Sequence, residues 1–164
     1  MTPPEVWEPL MAEFSFDLDA FADEQTKRLP HYLTDAFGPG EWPGQRIWMN
    51  PPYGRKLEPA VRRGALEART FGKLVVALIP FRCRAAWWHE AVLGVAHEVR
   101  CVRKRVDFLR PNGERGDFTG SCDSCLVVWD YRDFLSFSFE PGDGSISLNH
   151  RPVHTRMVGW EQAA

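Results

Sequence analysis

Asn50-Pro51-Pro52-Tyr53 combines fixed backbone, two acceptors and an aromatic face in four residues. Successive prolines hold the chain rigid and remove two N–H donors. What points outward is the Asn50 amide oxygen and the Pro51 carbonyl, with the flat ring of Tyr53 beside them. These suit a planar group that carries an exocyclic amine: the amine donates to the two acceptors and the ring stacks on Tyr53. Adenine is such a group, and a base stacked on a protein aromatic gains about 1–3 kcal/mol. The plain alternative is a Pro-Pro turn capping a strand, with Tyr53 as packing.

Positioning such a segment needs a strand before it and a helix after it. Arg46-Ile47-Trp48-Met49 reads as that strand, and residues 57, 61, 65 and 68 form an apolar helical stripe. The run Leu74-Val75-Val76-Ala77-Leu78-Ile79 suits a strand buried on both faces. Helix over 85–96, strand over 98–102 and strand over 124–129 continue the alternation. A helix from Pro3-Pro4 through Met11 with Thr2 as N-cap, a strand over 14–18 and a short helix over 22–29 precede it. Residues 110–120 read as a loop, Leu135, Phe137 and Phe139 as a half-buried strand, and 140–164 as a loop-like tail. The order predicts a doubly wound α/β sheet in one domain over 1–164, with its core at about 2–135. In such sheets ligands lie beyond the carboxyl ends of the strands, where Asn50 falls.

The 164 residues are 44% hydrophobic and 26% charged, which excludes global disorder. No apolar run is long enough to span a bilayer. Met1–Glu8 has neither a basic start nor an apolar stretch, so no secretory leader is expected, and four cysteines point to a reducing, cytoplasmic setting. The net charge of −2 hides a division: residues 46–115 hold fifteen bases and six acids, whereas residues 1–45 hold nine acids and two bases. Sixteen of the 20 basic residues are Arg, whose planar fork suits phosphates and base edges. A basic belt between acidic ends points to a polyanion, although solvated surface gives the same pattern. Cys122 and Cys125 have ligand spacing, but Cys83 and Cys101 form no second close pair, so no metal is assigned.

Asn50-Pro51-Pro52-Tyr53 resembles the catalytic motif of amino-directed methyltransferases that use S-adenosylmethionine. Three blocks extend the likeness to the small phage-type DNA N6-adenine methyltransferases: Thr2-Pro3-Pro4-Glu5-Val6-Trp7; Phe16-Asp17-Leu18-Asp19-Ala20-Phe21-Ala22 with Tyr32, Thr34 and Trp42; and Trp48 through Gly54. It continues more loosely through Leu78–Arg82, Trp87-Trp88, Arg105-Val106-Asp107-Phe108 and Leu126-Val127-Val128. The resemblance implies a Rossmann-like methyltransferase sheet and a target adenine held by Asn50, Pro51, Pro52 and Tyr53. It implies S-adenosylmethionine held by Thr2, Pro3, Asp17, Asp19, Ala20, Phe21 and Asn50. Asp19 is the first choice for the cofactor's amino group or ribose; either carboxylate can instead be a cap or a strand end.

The Gly-rich loop of larger relatives is missing, since no glycine precedes Gly38, so the cofactor-binding half is expected to be truncated. Arg55, Lys56, Arg82, Arg84 and Arg105 follow strand ends and are expected phosphate contacts on DNA. Two other readings keep the motif: a protein-glutamine methyltransferase, which normally carries the Gly-rich loop, and a degenerate methyltransferase serving as a DNA-binding module. Cofactor binding and methyl transfer to DNA separate the three.

Overall fold

A computed structural model describes residues 1–103, 106–114, 123–132, 137–139, 146–148 and 155–160. Its elements are α1 (Pro4–Phe14), β1 (Leu18–Asp19), β2 (Arg46–Met49), α2 (Leu57–Phe71), β3 (Leu74–Pro80), α3 (Ala86–Ala91), β4 (Glu98–Val102), β5 (Ser124–Asp130), β6 (Phe137–Phe139), β7 (Ile146–Leu148) and β8 (Arg156–Trp160). Six strands form one mixed sheet in the order β1-β2-β3-β5-β4-β8, and β6 pairs with β7 apart from it.

Strands β1, β2 and β3 run parallel, with Ile47 opposite both Leu18 and Val75. β5 runs antiparallel to both β3 and β4, so β3 and β4 point the same way. The carboxyl ends of β1, β2, β3 and β4 therefore lie along one edge of the sheet. The α/β class is as expected, and the sheet is mixed: the buried apolar run of β3 marks an interior strand, with a parallel neighbour on one side and an antiparallel one on the other.

Alternate residues of the central strands divide the core. Ile47, Met49, Val75, Ala77 and Ile79 pack with α2 and α3. Trp48, Leu74, Val76 and Leu78 pack on the other face with Val6, Leu10 and Phe14 of α1. Gly64 lets α2 approach β2, because a Cβ there would sit 2.6 Å from Met49 Sδ. Gly72 ends α2 with φ 64°, its N–H donating to the Ala68 carbonyl.

Several boundaries differ from the sequence reading. Phe14 completes the buried stripe of α1, and Ser15 turns the chain at φ 53°, so β1 starts only at Leu18. Pro3, not Thr2, is the N-cap of α1. Residues 22–29 form turns rather than a helix. There the Asp23 carboxylate accepts the N–H groups of Gln25 (3.0 Å) and Thr26 (2.9 Å), a local alternative to helical bonding. α3 stops at Ala91 instead of 96, and Gly94 lies in the following turn at φ 74°. The tail is not all loop, since β8 pairs with β4 in the main sheet. Of the expected 110–120 loop, residues 115–120 lie outside the described residues, as does Leu135 of the expected late strand.

Candidate active site

Asn50 leaves β2 at the shared edge of strand ends. Its Nδ2 donates to Thr2 Oγ1 at 3.1 Å, across 48 residues of chain. Thr2 is 2% exposed and Pro51 is buried, whereas Pro52 and Tyr53 face solvent. With the amide nitrogen engaged, Oδ1 is the end of Asn50 left to accept a bond from outside. The Tyr53 ring meets Phe108 edge to face at 5.9 Å. Met1 and Leu109 are bonded through both backbones, with Leu109 N–H to Met1 carbonyl at 2.9 Å and the terminal ammonium to the Leu109 carbonyl. Phe108 and Leu109 thus contact Tyr53 and Met1, the residue before Thr2. Phe108 belonged to the looser part of the sequence likeness; only the fold shows its contact with Tyr53.

Asp19 and Ala20 leave β1 beside this segment. Ala20 N–H donates to the Trp48 carbonyl at 2.9 Å. On the other side, Asp19 N–H donates to the His31 carbonyl (3.0 Å) and its carbonyl accepts from Leu33 (2.9 Å), so residues 31–33 run as a parallel bridge. The Asp19 carboxyl is 3% exposed. Burial raises its pKa from 3.8 to about 6, against the N–H groups of Arg28 and Phe21 and the Arg28 charge, which lower it.

The folded state therefore binds the Asp19 proton more tightly than the unfolded chain does. Stability contributed by this group falls as pH rises from about 4 to 6, by about 2–3 kcal/mol in all. Asp19→Asn is expected to be more stable than the wild type above pH 6 and equal to it below pH 4. Urea unfolding across that range checks this; a difference that does not change with pH would refute it.

Asp17 is not brought to the site. Its carboxylate accepts the N–H groups of Gln45 (3.1 Å) and Arg46 (3.0 Å) at the leading end of β2, with the whole strand between it and Asn50. Phe21 packs edge to face on Phe37 and Trp42, at 5.5 and 6.0 Å. Beside it a cleft of about 230 Å³ lies between Phe21, Asp23, Asp35 and Phe37, with Pro52 and Lys56 as the facing wall. Phe37 is 41% exposed there, a ring on which a base can stack.

Arg55, Lys56, Arg82 and Arg84 are exposed and follow β2 and β3 at the common edge; Arg105 lies outside the described residues. Among the described residues no group of three or more His, Cys, Asp or Glu converges as a metal site. No described helix is long and apolar enough to cross a membrane. Sequence reasoning missed Arg28. Its backbone N–H donates to Asp19 Oδ2 at 3.1 Å, while its Nε and Nη2 are buried without an acceptor among the described residues.

The structure is thus a mixed α/β sheet with Asn-Pro-Pro-Tyr at the carboxyl end of an interior strand. In the comparison with known families, residues 1–152 match the family described as DNA N-6-adenine-methyltransferase (Dam), and the chain belongs to that family. It is also similar to the DNA N-6-adenine-methyltransferase of Haemophilus phage HP1 (strain HP1c1), 30% identical over 106 residues, which cover 63% of this chain and 60% of that protein. No solved structure matches.

Proposed function

We propose that the chain transfers a methyl group from S-adenosylmethionine to N6 of an adenine turned out of its stack in DNA, as an enzyme of phage or prophage type. The observation that carries the reading is Asn50, fixed by Thr2 at the end of β2 with its Oδ1 left as an acceptor. Membership of the DNA N-6-adenine-methyltransferase family supports it.

The residues present fit the cofactor. Asp19 offers a buried carboxylate to an ammonium, Ala20 follows it in the chain, and Arg28, whose backbone N–H bonds that carboxylate, buries Nε and Nη2 without an acceptor among the described residues. The Phe21 N–H also bonds the Asp19 carboxylate, Pro3 follows Thr2 at the start of α1, and Asp17 is left to its backbone partners. S-Adenosylmethionine, when bound, supplies a methyl group on a sulfonium, which needs no activation by a protein acid. What the chain adds is orientation. Asn50 Oδ1 and the Pro51 carbonyl accept the two amine N–H bonds of the adenine and raise electron density on nitrogen. Pro52 keeps the two acceptors rigid, and Tyr53 stacks on the ring. Fixing the two reactants in register supplies most of the acceleration in reactions of this type.

Turning the base out costs a few kcal/mol. Arg55, Lys56, Arg82 and Arg84, with Arg105 from the sequence reading, would offset part of this through phosphate contacts. The reading includes a Rossmann-like methyltransferase sheet with a shortened cofactor half. The two-residue β1, extended only by the 31–33 bridge, supports that.

The test is transfer of labelled methyl from S-adenosylmethionine to unmethylated DNA, with the product nucleoside identified by mass. N6-methyladenine is the expected product. Cofactor binding without transfer to DNA would instead favour a protein acceptor, and no binding of either would favour a degenerate module.

A further inference from the structure

Arg28 differs from Lys73, Arg63 and Arg100, other buried or partly buried cations among the described residues. Lys73, fully buried, has Glu67 at 3.2 Å and Glu41 at 2.8 Å. Arg100 has Glu13 at 2.5 Å and Glu98 at 2.9 Å. Arg63 buries an unpartnered Nε but keeps Glu67 at 2.6 Å through Nη2. Arg28 buries both Nε and Nη2 with no acceptor and has no ion pair among the described residues. A guanidinium stays charged when buried, and buried N–H donors left without an acceptor cost stability. Nε and Nη2 form the side-on fork of the guanidinium, whose two parallel N–H bonds match the two oxygens of a carboxylate.

The surroundings narrow the ligand. Arg28 is hydrogen-bonded to Asp19 through its own backbone. Burial lowers its pKa from the ordinary arginine value, against the nearby charges of Asp19, Glu5 and Glu8, and burial followed by the Arg28 charge lowers the affinity of the Met1 ammonium for its proton. It therefore lies between the end of β1 and the start of α1, on the side where Thr2 holds Asn50. A buried carboxylate near an unpartnered guanidinium edge is complementary to a zwitterion, whereas the negative charges of Asp19, Glu5 and Glu8 around Arg28 disfavour a polyanion.

We infer that the Nε/Nη2 edge of Arg28 receives the α-carboxylate of the cofactor's amino-acid end, while Asp19 faces its ammonium. This rests on the reading of the chain as an S-adenosylmethionine enzyme and adds a binding residue to it. Arg28 would then select against nucleoside thioethers that lack a carboxylate.

Calorimetry on the full chain tests this with two probes: S-adenosylhomocysteine and its decarboxylated, aminopropyl analogue. The wild type is expected to prefer the first by about ten- to a hundredfold, the range for hydrogen bonds to a charged group. Arg28→Gln should bind the two equally, and Arg28→Lys should keep part of the preference. Equal affinities in the wild type overturn the inference without any variant and leave the cofactor reading standing. So does an unchanged preference in Arg28→Gln, or a loss confined to DNA affinity, which would assign the fork to a phosphate. A wild type that binds neither probe removes the cofactor reading and this inference with it.

Discussion

Asn50→Ala is expected to lower methyl transfer to DNA by about 10²–10³-fold or more while the protein stays folded, the size of effect seen when one preorganised polar group is taken from a reacting centre. The side chain is half-exposed and makes one hydrogen bond, to Thr2. Losing that bond costs about 1 kcal/mol of stability, a small part of the total for a chain of this size. Activity and stability should thus separate. Labelled-methyl transfer at saturating cofactor measures the first, and urea unfolding the second. Asn50→Asp keeps an acceptor and should retain more activity than the alanine variant. Near-normal transfer by Asn50→Ala would show that the acceptor at the end of β2 has no part in the reaction.

The second large effect lies away from the site. Glu67 is 1% exposed and Lys73 fully buried. Glu67 Oε2 accepts the Trp42 N–H at 3.1 Å and sits 3.2 Å from Lys73 Nζ, which also donates to the Trp42 carbonyl. This cluster ties the chain before β2 to the end of α2 and the start of β3. Glu67→Ala leaves the Trp42 N–H without its acceptor and Lys73 short of one counter-charge. Breaking a buried pair from one side costs about 3–5 kcal/mol, so the urea midpoint should fall by a large fraction. Glu67→Gln keeps an acceptor and should lose less. An unchanged midpoint in Glu67→Ala would mean that water replaces the carboxylate at no cost.

The parts of this architecture that rest on local signals were legible in the residues. The apolar stripe of 57–71, the continuous run in β3 and the proline pair after Met49 each dictate their own conformation, and Asn50 followed from them. Where a distant partner decides, the sequence was silent or misleading. The Thr2 hydroxyl is engaged by Asn50 and does not cap α1. Asp17, in one motif with Asp19, is used at the opposite end of β2. Nothing in the residues around Arg28 signals that its Nε and Nη2 are buried. β5 enters between β3 and β4 although it follows both, which strand order along the chain does not reveal.

The sheet is also unequal in its depth of pairing. β3 and β5 match over seven residues, all the way from Leu74–Asp130 to Pro80–Ser124, whereas β1 holds only two residues against β2. Opening β1 breaks fewer sheet hydrogen bonds, although Leu18 and Ala20 are buried in the core, so its amides are expected to exchange ahead of those of β3 and β5. Asp19 and Ala20 thus sit at the most thinly paired strand of the main sheet. A ligand that bridges them to Asn50 would act as the missing length of strand, lending the edge a rigidity that the polypeptide alone does not give it.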